Sequence, residues 1–285
     1  MKIYATIKET EDALSPYRNG KRSIGFVPTM GALHRGHLSL VTRSKSENDV
    51  TVCSIFVNPT QFNSPSDLEK YPRTIDDDMQ MLASAGCDIL FAPSVDEMYR
   101  KGDYSTINED FGILDKVMEG KSRPGHFAGM LTIVNKLFCI IKPDNAYFGK
   151  KDFQQLVLIR HFVHTHHLPV IIKACPIVRE DDGLAMSSRN RLLSAEERSN
   201  ASIIPQTLFK IKSMWGEKTS AELKEFVKDR FNMVSPLKLD YFEIVNAETL
   251  EPVKDKASGK SAVACIAAFS GDVRLIDNIS LTEQV

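Results

Sequence analysis

The sequence predicts an α/β protein: a Rossmann-like, doubly wound parallel sheet followed by a smaller C-terminal α+β domain. Three observations lead there. Short β-branched runs alternate with longer helical patterns as far as Val178. Beyond Asn190 the order changes, with two amphipathic helices followed by strand-like runs. A length of 285 residues accommodates one large domain or two smaller ones, at about 150 residues per domain.

In the first part, strands are expected at residues 24–27, 50–57, 88–92, 146–148 and 170–178. Helices are expected between them at 37–48, 74–85, 128–141 and 153–164. Strands separated by helices of this length form βαβ units, and their right-handed crossovers give a doubly wound layer. In the second part, residues 194–214 and 220–233 read as helices, the first opening on the cap signal Ser194-Ala-Glu-Glu197. Strand-like runs at 239–245 and 262–269 follow, separated by a polar stretch containing Ser258-Gly259. The expected domains are 1–185 and 186–285.

Composition narrows the function classes. The chain is 42% hydrophobic and 26% charged, with a formal net charge of −1. That balance provides no long-range attraction for nucleic acid or an acidic membrane. MKIYATIKETED turns charged too early for a signal-peptide core, and no run approaches the about 18 apolar residues of a membrane helix. Five scattered cysteines without a CxxC fit reduced thiols of the cytoplasm. A soluble, cytoplasmic protein acting on small molecules is the expectation.

Open parallel sheets bind ligands beyond the carboxyl ends of their strands, and five such loops carry distinctive side chains. In Met30, Gly31, Ala32, Leu33, His34, Arg35, Gly36 and His37, the glycines allow close backbone approach and His37 falls near a helix N-terminus. Free N–H groups and the helix dipole favour an anion there; a pair of solvated surface histidines is the alternative. FVNPTQF offers Asn58 and Gln61 to orient a hydroxyl or carboxylate, or else forms a polar turn with an Asx cap. YFGKKDFQQ places Gly149, Lys150, Lys151 and Asp152 before a helix, with Gln155 one turn along the same face as Lys151. An ordinary charged surface loop would look similar. Val178 precedes a segment ending in Met186, Ser187, Ser188 and Arg189, two hydroxyls and a guanidinium suited to clamp phosphate, or a solvated linker. Residues 120–129, GKSRPGHFAG, read as a mobile loop able to close over a ligand, or a plain connector. The histidines at 161, 164, 166 and 167 sit at a helix end and lack the spacing of a zinc site. Asp76, Asp77 and Asp78 read as an acidic helix N-terminus, with Mg2+ carried on a nucleotide as the alternative.

In order, VPTMGALHRGH, FVNPTQF, YPRT, YFGKKDFQQL and GLAMSSRN resemble the pantothenate synthetase (pantoate–β-alanine ligase) family over nearly the whole chain. That family belongs to the HxGH nucleotidylyl transferases, relatives of the class I aminoacyl-tRNA synthetases. The resemblance implies that ATP, with Mg2+, activates pantoate as pantoyl adenylate, which β-alanine converts to pantothenate. It implies ATP binding by residues 30–37, Gly149, Lys150, Lys151, Asp152, Val178 and Met186 through Arg189. It places Gln61 and Gln155 on pantoate, and Gln61 also on β-alanine. His37, His34, Lys151 and Arg189 would be the catalytic groups, all four acting as cations around the phosphates. A homodimer is implied as well. The sequence departs from the family pattern at Lys150, where an acidic or neutral residue is common, and at Met130, where valine is expected. The competing readings are another HxGH enzyme acting on a small phosphorylated substrate, and a nucleotide-sensing module without turnover.

Overall fold

The computed structural model describes residues 1–99, 104–233 and 237–282. Its strands are β1 (Lys2–Tyr4), β2 (Ile24–Thr29), β3 (Val50–Ile55), β4 (Ile89–Phe91), β5 (Asn145–Gly149), β6 (Ile171–Cys175), β7 (Leu237–Asn246), β8 (Ala262–Ser270) and β9 (Val273–Ser280). The helices of the first part are α1 (Ile7–Asn19), α2 (Arg35–Glu47), α3 (Pro65–Lys70), α4 (Ile75–Ser84), α5 (Val95–Met98), α6 (Met118–Ser122), α7 (His126–Ile141) and α8 (Phe153–Thr165). Those of the second are α9 (Ala195–Ala201), α10 (Ile203–Met214) and α11 (Ser220–Asn232).

The first six strands form a parallel sheet in the order β1-β4-β3-β2-β5-β6, and the last three an antiparallel sheet, β7-β8-β9. The predicted class is therefore the observed one. The chain winds outward from β2 through β3 to β4, then returns to lay β5 on the other side of β2. Strand order reverses between β2 and β5, which places the ligand crevice at the ends of those two strands. The crevice is deepened by a local event in sequence. The β2–β5 ladder holds only at Gly25↔Asn145 and Phe26↔Ala146. Pro28 follows, and having no N–H it lies where the two strands have already parted.

Apolar side chains fill both faces of the large sheet. Phe26, Val52, Phe91, Leu131, Ile141 and Leu158 lie in one core; Val27, Leu33, Val41, Cys53, Leu82 and Tyr147 lie in the other. Side chains alternate across a strand, so adjacent Phe26 and Val27 serve opposite cores. The third core joins α10 and α11 to the antiparallel sheet through Leu208, Ile211, Leu223, Val227, Ile244 and Ile266.

Several expectations need correction. The helix expected over 194–214 is two helices, parted at Ser202. Pro205 explains the break: it cannot donate to the carbonyl of Ala201, and its ring would clash with that oxygen in a continuous helix. The capping box at Ser194 and Glu197 is present. Residues 120–129 are not an open loop, because α6 and α7 occupy most of them. A β-carbon on Gly129 would overlap the Thr60 carbonyl, and one on Gly120 that of Asp115. These glycines permit close backbone packing rather than a hinge. The sequence reading omitted β1, α1 and β9. Among the described residues no helix is long and apolar enough to cross a membrane.

Candidate active site

The β2–α2 connection is held in shape by a group the sequence reading left at a helix end. Asp78, 1% exposed on the inward face of α4, accepts the N–H of Ala32 at 2.9 Å and that of Leu33 at 2.7 Å. Ala32 is thereby kept in the left-handed region, φ +49°. The carbonyls of the same two residues accept from Ser188 Oγ at 2.8 Å and Arg191 Nη2 at 3.2 Å. Ala32 and Leu33, expected to touch nucleotide, instead have both backbone groups engaged by protein and their side chains buried. An acidic residue sharing the buried face of α4 with Leu82 was the available signal for Asp78.

At the start of α2, His34 Nδ1 accepts the N–H of Gly36 at 3.1 Å. Its proton must therefore reside on Nε2. Gly36 is required because a β-carbon would come within 2.8 Å of the His34 ring. The His34 and His37 rings lie 4.0 Å apart, tilted by 33°. Burial, then the charges of Lys151 and Arg191, push His34 down to about 4. Burial, then His34, push His37 down to about 3. Both imidazoles are neutral at pH 7 in the ligand-free protein; the expectation of four cations concerns the protein with ATP's phosphates in place. His37 Nδ1 is buried without a hydrogen-bond partner among the described residues.

Lys151 and Arg189 supply the formal charge. Lys151 Nζ lies 3.6 Å from Asp152 Oδ1. Depth in the cleft opposes ionisation of Asp152, yet Lys151, His37, Arg189 and Arg123 hold its carboxyl below the usual range. The loop carrying Lys151 is clasped from the second sheet: Asn278 Nδ2 donates to the carbonyls of Lys150 and Lys151, each at 2.9 Å. Arg189 pairs with Asp67 at 3.2 Å and lies over the Tyr71 ring. Its segment is anchored by Arg179, which meets the buried carboxylate of Asp277 with two N–H groups at 2.7 and 3.1 Å.

On the opposite wall, Asn58 caps the turn Pro59–Gln61 and donates to Gln61 Oε1 at 3.1 Å. The Asx-cap reading of Asn58 therefore describes its geometry, while Gln61 faces the cleft. His126 and Arg123, which lie in the stretch 120–129 whose basic groups the sequence reading offered as able to close over a ligand, adjoin it. A guanidinium only donates, so His126 Nε2 accepts from Arg123 at 3.1 Å and Nδ1–H donates to the Gln61 carbonyl at 2.8 Å. Burial and the charge of Arg123 hold His126 down at about 4. Arg123 is presented by α6, whose Glu119 is gripped by Arg274 of β9 through two bonds of 2.8 Å and by the Tyr241 hydroxyl at 2.9 Å.

One cleft of about 230 Å³ gathers Met30, His34, Gly36, His37, Gln61, Gly149, Lys151, Asp152, Gln155, Val178 and Met186 through Arg189. Gly31, Ala32, Leu33, Arg35 and Lys150 lie off its wall, Arg35 being exposed. Met130 lies on the wall with Ile133, Val134 and Phe148, giving this end an apolar floor. Among the described residues no three His, Cys, Asp or Glu side chains group to hold a metal ion by themselves. The histidines ending α8 are exposed: His166 Nε2 meets Glu109 at 2.8 Å, and His161 abuts Phe111.

Comparison with known proteins places this geometry. A family model described as pantoate-beta-alanine ligase matches residues 2–280. The chain is 53% identical to a pantothenate synthetase of Bacteroides fragilis, over 99% of this chain and all of that one. It is 47% identical to one of Porphyromonas gingivalis, over 98% and 99%. The pantothenate synthetase structure from Thermus thermophilus superposes with a TM-score of 0.92 at 41% identity, covering 99% of this chain and all of that one. The pantoate-beta-alanine ligase of Francisella tularensis, in complex with beta-gamma ATP and beta-alanine, gives 0.81 at 39% identity, covering 99% and 98%. The chain belongs to the pantoate–β-alanine ligase family.

Proposed function

We propose that this cleft joins pantoate to β-alanine in two steps, the first of which consumes ATP. The observation that carries the reading is the meeting, across one crevice, of a donor-rich phosphate loop with two uncharged carboxamides. His34, His37, Lys151 and Arg189 face the phosphates; Gln61 and Gln155 hold the hydroxy acid. Met30, Gly36, Gly149, Val178 and Met186 through Ser188 complete the nucleotide's surroundings.

In the first step a pantoate carboxylate oxygen attacks the α-phosphorus, and the bond from that phosphorus to the bridging oxygen breaks, releasing pyrophosphate. Two anions must approach each other. Lys151 and Arg189 offset that repulsion, while the neutral imidazoles donate N–H to oxygens where charge accumulates. A phosphate arriving beside His37 would raise the affinity of its ring for a proton. In the second step the β-alanine amine attacks the acyl carbon. The bond to AMP breaks, the amine surrenders a proton, and the amide of pantothenate remains. No protein nucleophile is needed, because the substrate carboxylate is already ionised. Catalysis is chiefly positioning, for which effective molarities of about 10⁵ to 10⁸ M are attainable. The division of the chain into 1–185 and 186–285 serves the same end, the second unit covering the adenylate against water.

Mg2+ fits the residues present as a nucleotide-borne ion: Asp152 opens on the cleft beside Lys151, and Mg2+ commonly takes one or two carboxylates plus phosphate oxygens. When bound it would neutralise phosphate charge. A cytoplasmic homodimer completes the proposal. A nucleotidylyl transferase for a phosphorylated acceptor is disfavoured, because Gln61 and Gln155 carry no charge to receive a second phosphate.

Given ATP, pantoate and β-alanine, the protein should release pyrophosphate and form AMP and pantothenate; no pyrophosphate in a coupled assay would reject the reading. Gln155→Ala should raise the KM for pantoate about tenfold or more, with the KM for ATP little changed, as expected when a side chain binding one substrate is removed. A defect confined to ATP would displace Gln155 from pantoate.

A further inference from the structure

Of the two carboxamides in the cleft, Gln61 has its orientation dictated from behind. Asn58 Oδ1 receives the Thr60 N–H at 3.3 Å, and Asn58 Nδ2 reaches the Gly129 carbonyl at 3.1 Å. A peptide N–H only donates and a carbonyl only accepts, so these two backbone groups decide which end of the Asn58 amide is oxygen. The same Nδ2 donates to Gln61 Oε1. The Gln61 oxygen is thus turned inward and its NH2 outward, Nε2 lying 3.0 Å from Met30 Sδ on the cleft wall. A thioether is a weak acceptor, readily replaced by a ligand oxygen.

Behind Asn58 stands Tyr99, 1% exposed and off the cleft wall. Its hydroxyl donates to Asn58 Oδ1 at 2.7 Å and lies 3.2 Å from Thr60 Oγ1. The ring is held between Phe56 and Tyr104, with Lys136 Nζ 5.0 Å from its centre. Burial raises the phenol above its ordinary value, so it remains a donor throughout the working range of pH.

We propose that Tyr99 is a positioning residue that, acting through Asn58, reinforces the polarity of the Gln61 amide dictated by the Thr60 N–H and the Gly129 carbonyl, so that this end of the cleft takes a carboxylate or hydroxyl oxygen and rejects an ammonium group. The inference rests on the assignment of pantoate to Gln61 and sharpens it: β-alanine meets Gln61 only through its carboxylate, and its amine is received elsewhere. Thr60 still supplies its N–H, and its hydroxyl at 3.1 Å, to Asn58 Oδ1 when the phenol is lost, so the orientation is weakened rather than abolished.

Tyr99→Phe keeps the ring and its packing and removes only the hydroxyl. It should raise the KM for pantoate about fivefold to tenfold, leaving the KM for ATP essentially unchanged and lowering the thermal midpoint by no more than the loss of one buried hydrogen bond entails. Asn58→Asp, whose second oxygen cannot donate to Gln61, should raise the pantoate KM further. A second measurement uses protein labelled with ¹⁵N in glutamine side-chain amides, the Gln61 signal being identified by its loss in Gln61→Leu. Pantoate should shift that signal in the wild-type protein. In Tyr99→Phe it should be displaced or broadened before any ligand is added, because the amide samples both orientations. An unchanged Gln61 signal and pantoate KM in Tyr99→Phe would overturn the proposal, as would equal rises in both KM values with a lowered thermal midpoint. Should the wild-type protein release no pyrophosphate, the functional reading fails, while the amide signals of the ligand-free proteins still decide the role of Tyr99.

Discussion

Replacing His37 by alanine should lower the rate of pantoyl adenylate formation about 10²- to 10⁴-fold, the range for a positioned group acting on developing charge. The expectation follows from its setting. The ring is stacked 4.0 Å from His34, and one of its nitrogens is buried without a partner among the described residues. Such a group is costly to leave unsatisfied, by about 1–3 kcal/mol, and the ring lines the cleft proposed to take the phosphates. Single-turnover pyrophosphate release measures the effect; a change of less than about tenfold would remove His37 from its proposed role. The same variant carries a signature in acid. The folded protein keeps His37 neutral to about 3, and His34 and His126 to about 4, whereas the unfolded chain takes up protons below about 6.5. Stability therefore falls as pH drops through that window, since the unfolded state binds more protons. Without His37 the decline should be shallower, which urea midpoints across the window would reveal.

Asp78→Asn should damage both stability and nucleotide affinity, although it changes no atom on the cleft wall. The wild-type carboxylate gives one oxygen to each of two adjacent peptide N–H groups. An asparagine presents an NH2 to one of them, donor facing donor. An unsatisfied buried group costs about 1–3 kcal/mol, and Ala32 loses part of what holds it at positive φ. The loop should relax, displacing the carbonyls that anchor Ser188 and Arg191. The expected result is a urea midpoint lowered by an amount within that range and a KM for ATP raised severalfold. A variant with native stability and native ATP kinetics would show that Asp78 does not shape the loop.

The strands flanking the crevice were legible in sequence because β2 and β5 are short apolar runs ending at glycine- or proline-containing turns. The small elements were not. Strand β1 is only three residues long, and β9 carries Arg274, Asp277 and Asn278 amid its apolar positions, so neither shows a clear period. What a sequence pattern does report is side-chain type at a strand end, which is why His34, His37, Lys151, Gln155 and Arg189 were identifiable. It does not report which backbone groups are already taken. Hence Ala32 and Leu33 were grouped with the nucleotide contacts, although protein partners occupy their peptide groups. Nor does it report burial, the leading cause of the lowered pKa values of His34 and His37. Asp78, Tyr99 and Arg123 reach the site from separate elements, a proximity that exists only in three dimensions.

The clasp of Asn278 on the Lys150 and Lys151 carbonyls gives the active site an order of completion during synthesis. The phosphate loop and both carboxamides are translated well before Asn278, which lies in β9. The parallel sheet holds its own strand-to-strand bonds without that residue, but the lysine-bearing loop lacks its outer support until β9 has joined β8. A nascent chain thus acquires the clasp on the Lys150 and Lys151 carbonyls only after β9 has been made.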